Sequence, residues 1–316
     1  MYQVNAMYLI ASLLGLSFIF KWLFQRLASK KPGTCISTSY LEFSKRFQVV
    51  VLGLVCLFFI NLAGGYLALF LCLILSFICF REFVSTIELK GSDYWPLLFT
   101  FYIAIPLQYF LVALHVSFLF LIFLPVYAFL LGPMLATLGN DNDRFLERAA
   151  KYHWAQLICV YCISYLPAIG LIPLIENKHS ATGLTSLIHL ALMIWVSDLS
   201  QFVLNGLIGK RPLAPQIAPR KTWEGTVLGM LIGVIFGSAT YQLTPMPFIG
   251  TVLLSICICS IGLLGSLIMS SVKRSLKIKV WSDLLPGHGG FLDRFDSLIF
   301  AAPIYYHILQ QFYLKT

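Results

Sequence analysis

The sequence predicts an all-α, polytopic integral membrane protein with about 9–10 transmembrane helices and its active-site loops on the cytoplasmic side. Three observations carry this prediction. Of 316 residues, 59% are hydrophobic and 11% charged, against roughly 25% charged in an ordinary soluble domain. Apolar runs recur near bilayer length, about 20 residues each. Lys and Arg crowd every second loop between them. Together these exclude a soluble enzyme, a disordered chain and a disulfide-stapled secreted domain.

Taken in order, the candidate spans cover residues 4–24, 48–63, 65–80, 95–112, 115–138, 154–175, 182–197, 225–244, 248–271 and 292–311. The first does not read as a cleavable signal peptide: no cationic leader precedes Lys21, and no clear small-residue cleavage site follows. Basic residues fall after the odd-numbered spans: Arg26 to Arg46, Arg81 and Lys90, Arg144 to Lys151, Lys210 to Lys221, and Lys273 to Lys279 with Arg294. The intervening loops hold only Lys178. The positive-inside rule then places the basic loops in the cytoplasm and both termini outside. Cys159 and Cys162 form a CxxC within a span and read as packing residues. The expected organisation is an N-terminal transmembrane half, 1–180, and a C-terminal transmembrane catalytic half, 181–316.

Two polar stretches concentrate the chemistry, 198–229 and 265–297. They hold nine of the 22 basic and five of the 13 acidic residues. Setting topology requires cations but neither interleaved carboxylates nor dense Gly and Pro. Cationic side chains neutralise phosphate oxygens, and magnesium usually joins one or two carboxylates to substrate phosphates. Glycines let backbone N–H groups approach an anion. Pro286-Gly287-His288-Gly289-Gly290 is such a loop, directly before a predicted helix whose N-terminus favours anions. The mixture predicts a polyphosphate-plus-metal site at one membrane surface.

Asp198, closing a hydrophobic span, is costly there unless paired or metal-bound. Asp293 and Asp296 share a helix face; with Arg294 they form either a ligand set or a structural ion-pair network. His288 is either catalytic or a loop hydrogen-bonder, and Glu82 is ambiguous. No Walker loop, HExxH, GxSxG or zinc-spaced cysteines occur. Polar residues at one face, not mid-membrane, argue against a transporter.

These stretches resemble the phosphatidate cytidylyltransferases, also called CDP-diacylglycerol synthases. The C-terminal signature of that family is matched by Ser270, Lys273-Arg274, Lys279, Ser282, Leu285-Pro286, His288-Gly289-Gly290, Asp293-Arg294 and Asp296. The upstream element is matched by Asp198, Gly209-Lys210 and Pro219-Arg220-Lys221-Thr222-Trp223-Glu224-Gly225. Two positions depart: Val280 and Ser266 stand where the family pattern carries aspartates of its metal site.

The resemblance implies that CTP and phosphatidic acid give CDP-diacylglycerol and pyrophosphate. It implies Lys221, Lys273, Arg274, Lys279, His288 and Arg294 as catalytic residues. Lys210, Trp223, Glu224, Gly287, Gly289 and Gly290 are implied to bind substrate. Asp198, Asp293 and Asp296 are implied to hold Mg2+, with a monovalent cation such as K+ as a further expectation. The expected partners are the two substrates and membrane lipid, with a homodimer allowed and nucleic acid excluded. A bacterial inner membrane is the expected location. The alternative is a catalytically impaired paralogue that binds anionic lipid or a partner enzyme.

Overall fold

The computed structural model describes residues 10, 35–88, 90–174, 181–282 and 289–313. It is almost wholly helical. The helices are α1 (Cys35–Ala63), α2 (Gly65–Val84), α3 (Gly91–Ala113), α4 (Ser117–Thr137), α5 (Phe145–Leu171), α6 (Gly183–Leu207), α7 (Trp223–Ala239), α8 (Phe248–Ser275) and α9 (Leu292–Tyr313). Six of them, α2 to α6 and α8, are long and apolar enough to cross a membrane. Val50–Ala63 within α1 and the whole of α7 are shorter apolar helices. Helix α9 falls outside the six because Tyr305, Tyr306, His307, Gln310 and Gln311 lower its hydropathy; its inner face is nonetheless buried. Each predicted span from 48–63 onward thus meets a helix. The first, 4–24, lies outside the described residues except for Ile10. The chain is an integral membrane protein.

Local sequence explains the breaks. Gly64 separates α1 from α2 at φ 93°, a left-handed conformation that glycine adopts without steric cost. Thr182 caps α6 by accepting from the Thr185 N–H (3.3 Å), while the Thr182 N–H donates to the Thr185 hydroxyl (3.0 Å). Helices α3, α4 and α5 each contain a π-helical turn, at Thr100–Ala104, Phe123–Ala128 and Leu157–Cys162. Pro106, Pro125 and Pro167 lie in or just beyond these turns, where a missing N–H disturbs the regular ladder. The CxxC falls in the third, with both thiols free and Cys159 buried.

Helix α6 is the hub, buried from Gly183 to Ile194 and packed against α1, α5, α7, α8 and α9. Its closest neighbour is α7, through glycines at every fourth position. A Cβ on Gly225, Gly229, Gly233 or Gly237 would lie 2.4–2.5 Å from Asn205, Gln201, Ser197 and Met193 respectively. Four bare positions on one face let the two backbones approach closely, as small-xxx-small interfaces do in membranes. His189 of α6 bridges the same layer, with Nε2 3.0 Å from the Gly237 carbonyl and Nδ1 3.2 Å from the Tyr305 hydroxyl.

Among the described residues, a hairpin interrupts the all-α pattern. Between α6 and α7 the sequence forms a hairpin, β1 (Pro212–Ala214) and β2 (Ala218–Thr222), with Pro212 opposite Thr222 and Ala214 opposite Ala218. The ends of α2, α6 and α8 and the starts of α7 and α9 gather at this hairpin's end of the bundle.

Candidate functional site

The site is assembled from the hairpin inward. Asn205, in the last turn of α6, accepts from the Thr222 N–H (2.9 Å), the Thr222 hydroxyl (2.7 Å) and the Thr226 hydroxyl (3.4 Å). Thr222 in turn caps α7 by accepting from the Gly225 N–H at 3.3 Å. Glu224 accepts from the backbone N–H groups of Lys210 (3.2 Å) and Arg211 (3.1 Å), closing the chain before β1 onto the start of α7. These anchors present Lys210 and Arg211 at the surface and leave Trp223 56% exposed. Lys221 points inward instead, and its Nζ donates to the Ser266 hydroxyl of α8 at 2.9 Å. Arg274, in the last turn of α8, donates from Nε to the Ile217 carbonyl at the hairpin tip (3.4 Å).

Beneath the hairpin, Asp198 and Asp296 converge on one residue. The Ser297 hydroxyl donates to Asp198 Oδ1 at 3.1 Å, and the Ser297 N–H donates to Asp296 Oδ1 at 2.8 Å. Both carboxylates are half-buried. Asp293 is engaged differently. Its Oδ1 accepts from Lys273 Nζ at 2.5 Å, and its Oδ2 accepts from the N–H groups of Trp281 (3.1 Å) and Gly290 (3.2 Å). Its cation partner is therefore Lys273 of α8, whereas the sequence suggested the adjacent Arg294.

Lys279 is exposed and Arg294 half-buried at the same end. Gly289 has φ 80°, and a Cβ on Gly290 would lie 2.6 Å from a Glu82 oxygen. His288 and Gly287 lie outside the described residues, as does Asp283.

Glu82 is the site residue whose place the sequence left ambiguous. It is 1% exposed at the end of α2. Its Oε1 accepts from the Ser282 hydroxyl (2.6 Å) and the Phe291 N–H (3.0 Å), and its Oε2 from the Leu292 N–H (3.0 Å). Beside it, the Phe83 and Trp281 rings stack at 4.7 Å. The one available signal was a carboxylate closing an apolar helix; its partners lie 200 and more residues further along the chain.

The donor chemistry discriminates among the three aspartates. Both oxygens of Asp293 are occupied, one by a cation and the other by two amides, which leaves little capacity for a metal. Asp198 and Asp296 meet at Ser297, which donates to Oδ1 of each. Among the described residues, no group of three or more His, Cys, Asp or Glu side chains is arranged to enclose a metal ion by protein ligands alone. Two carboxylates completed by substrate phosphates match what magnesium ordinarily accepts.

Comparison with known proteins gives the family. The cytidylyltransferase family matches residues 44–312, most of the chain. The chain belongs to the cytidylyltransferase family. The phosphatidate cytidylyltransferase of Bacillus subtilis (strain 168) is 38% identical over 133 residues, 41% of this chain and 49% of that protein. That of Aquifex aeolicus (strain VF5) is 38% identical over 146 residues, 46% of this chain and 54% of that protein. These matches therefore span about half the length of those enzymes. A relative similar along its whole length is the "Uncharacterized protein YnbB" of Escherichia coli (strain K12), 27% identical over 308 residues and 96% of each chain.

Proposed function

We propose that the chain is a CTP:phosphatidate cytidylyltransferase, making CDP-diacylglycerol and pyrophosphate in a bacterial inner membrane, with the hairpin end facing the cytoplasm. The observation that carries this is the convergence of Asp198, Asp296, Lys221, Lys273 and Arg274 from three helices and a hairpin at one end of an apolar bundle. The similarity to phosphatidate cytidylyltransferases supports the choice of substrates.

The chemistry is in-line displacement. An oxygen of the lipid phosphate attacks the α-phosphorus of CTP. A new P–O bond forms as the bond to the bridging oxygen breaks, and pyrophosphate leaves with the electron pair. A phosphomonoester with a second pKa of about 6 is already mostly ionised at neutral pH, so no strong base is required. The residues must instead bring two anions together and neutralise them. Asp198 and Asp296 would hold Mg2+, which supplies charge neutralisation of the triphosphate when bound. Lys221, Arg274, Lys279, Arg294 and Lys210 oppose the remaining phosphate charge. Lys273 and Asp293 fix the turn that carries Gly289 and Gly290 to the start of α9. The acyl chains stay in the bilayer, which accounts for a site built on spanning helices.

The test is incorporation of cytidine-labelled CTP into lipid by the purified protein with phosphatidic acid and magnesium. Labelled CDP-diacylglycerol with equimolar pyrophosphate is expected, and no label in lipid overturns the assignment. A second reading, an impaired paralogue that binds anionic lipid or a partner enzyme, is favoured by one feature. Lys221 meets a serine hydroxyl at Ser266, a position where the family resemblance implies an aspartate. That reading expects no turnover in the wild type and recovery in the Ser266→Asp, Val280→Asp double variant.

A further inference from the structure

Glu82 belongs to no part of the site as the sequence frames it, yet it holds the site's base. The first N–H groups of a helix have no partner within it. At the start of α9, the N–H of Leu292 and that of Phe291 just before it donate to Glu82, which arrives from α2. The same carboxylate takes the Ser282 hydroxyl. Asp293 makes the complementary pair of bonds, to the N–H groups of Trp281 and Gly290. Two carboxylates thus clamp 281–282 against 290–292, one from within the motif and one from the opposite half of the chain. Gly290 leaves the space for this approach, since a Cβ there would stand 2.6 Å from the Glu82 carboxylate.

The position matters for chemistry because the same helix carries a candidate metal ligand one turn later. Asp293 is one residue past Leu292, and Asp296 is three residues further, at Ser297 and Asp198. Any rotation or fraying of the first turn of α9 moves Asp296 against Asp198, which belongs to a different helix. A displacement near 1 Å in a positioned site costs about 100-fold in rate. A buried carboxylate satisfied by a hydroxyl and two amides tolerates such a shift poorly, because each lost bond leaves a buried polar group unpaired.

We infer that Glu82 is a positioning residue for nucleotidyl transfer, which sets the first turn of α9 and through it the placement of Asp296 relative to Asp198. The inference rests on the proposed cytidylyltransferase reading for its kinetic consequence, but not for its structural one. Two measurements on the full-length protein in lipid nanodiscs separate them. The first is amide hydrogen exchange across 289–296 in wild type, Glu82→Gln and Ser282→Ala. The second is kcat and KM for CTP in the same three proteins.

Glu82→Gln replaces an acceptor with an amide N–H facing the Phe291 and Leu292 donors. Exchange at those two amides is expected to quicken by about tenfold. The kcat is expected to fall by about 100-fold, with KM for CTP changed less than about threefold, because the carboxylate is buried and bonded to Ser282, Phe291 and Leu292. Ser282→Ala removes one bond of three and keeps the charge, so a smaller change in the same direction is expected, and it serves if Glu82→Gln fails to fold. Unchanged exchange at Phe291 and Leu292 in both variants overturns the inference, as does unchanged kcat in an active protein. An inactive wild type overturns the cytidylyltransferase reading alone; the anchoring role is then decided by exchange.

Discussion

Two charged clusters occupy the same end of the bundle, and they differ in how far their charges balance. In the cluster between the start of α3 and the start of α5, cations and carboxylates answer one another. Lys90 pairs with Asp143 (2.5 Å) and Asp141 (3.4 Å), and Arg148 with Asp141 (3.0 Å) and Asp93 (3.5 Å). Arg148 also donates to the Ser92 hydroxyl and the Asp141 carbonyl. In the cluster of α6 to α9, Lys273 pairs with Asp293, Glu224 takes amides, Ser297 donates to Asp198 and Asp296, and Glu82 takes two amides and a hydroxyl. Nine cations stand against five acidic residues in the two stretches that form it. A cluster with balanced charges is a clasp between loops; one with an excess of cations is prepared for anions from outside.

The largest expected effect tests that contrast directly. Asp198→Asn should lower lipid labelling from CTP by at least about 100-fold, as loss of one charge-stabilising group in a preorganised site does. Asp141→Asn, in the balanced cluster, should leave labelling within about twofold, since its partners Lys90 and Arg148 belong to that cluster and not to the candidate site. Near-normal turnover in Asp198→Asn would remove Asp198 from the site. Next in size is stability. Lys273 and Asp293 are 15% and 11% exposed, so Lys273→Met strands a largely buried carboxylate and should cost about 3 kcal/mol in detergent unfolding. Lys90→Met, with both partners well exposed, should leave the melting temperature unmoved.

Smaller again is the effect of filling the α6–α7 seam. At Gly229 a Cβ would meet the backbone of Gln201 at 2.4 Å, an atom that cannot step aside. Gly229→Ala should therefore cost about 1–3 kcal/mol, as overpacking does, and slow labelling by shifting Lys221 on α7's side of the seam relative to Asp198 on α6. Gly206→Ala has open space within 4 Å and should be neutral or slightly stabilising. Equal melting temperatures for the two variants would show that the seam is not close-packed.

These contrasts also indicate what the sequence makes legible. Helices α2 to α6 and α8 are readable because burial in lipid demands a continuous apolar run, and hydropathy reports that directly. The spacing of Gly225, Gly229, Gly233 and Gly237 was equally present in the sequence as a repeated small-xxx-small pattern, but the hydropathy of the run gave no notice of it. The hairpin was hidden because its strands are short, carry Pro212 and Pro219, and are held by Asn205 and Arg274 from elsewhere in the chain. The pairing of Asp293 with Lys273 and the reach of Glu82 to Leu292 are tertiary facts, spanning 20 and 210 residues. No local pattern encodes them. Residue types in the motifs mark the candidate site, whereas the donors that Asp293 and Glu82 accept from could be read only from the structure.

The smallest effect separates the clusters by pH. The Asp143 N–H first, then the Arg148 guanidinium, hold the Asp141 carboxyl down to about 2. A hydrogen bond from Lys90 keeps Asp143 below the usual carboxylate range. An unfolded aspartate titrates near 3.9. Because the folded values are depressed, the contribution of these groups is complete above pH of about 4 and is lost as pH falls toward 2. Amide exchange in the loop 139–144 should therefore stay slow down to pH of about 4 and quicken below it, with Lys90→Met bringing the change to higher pH. Labelling activity should fail far earlier, near pH of about 6, where the lipid phosphate takes up its second proton. Loosening of the 139–144 loop that coincided with this loss of activity would show that the balanced cluster is coupled to turnover and is more than a clasp.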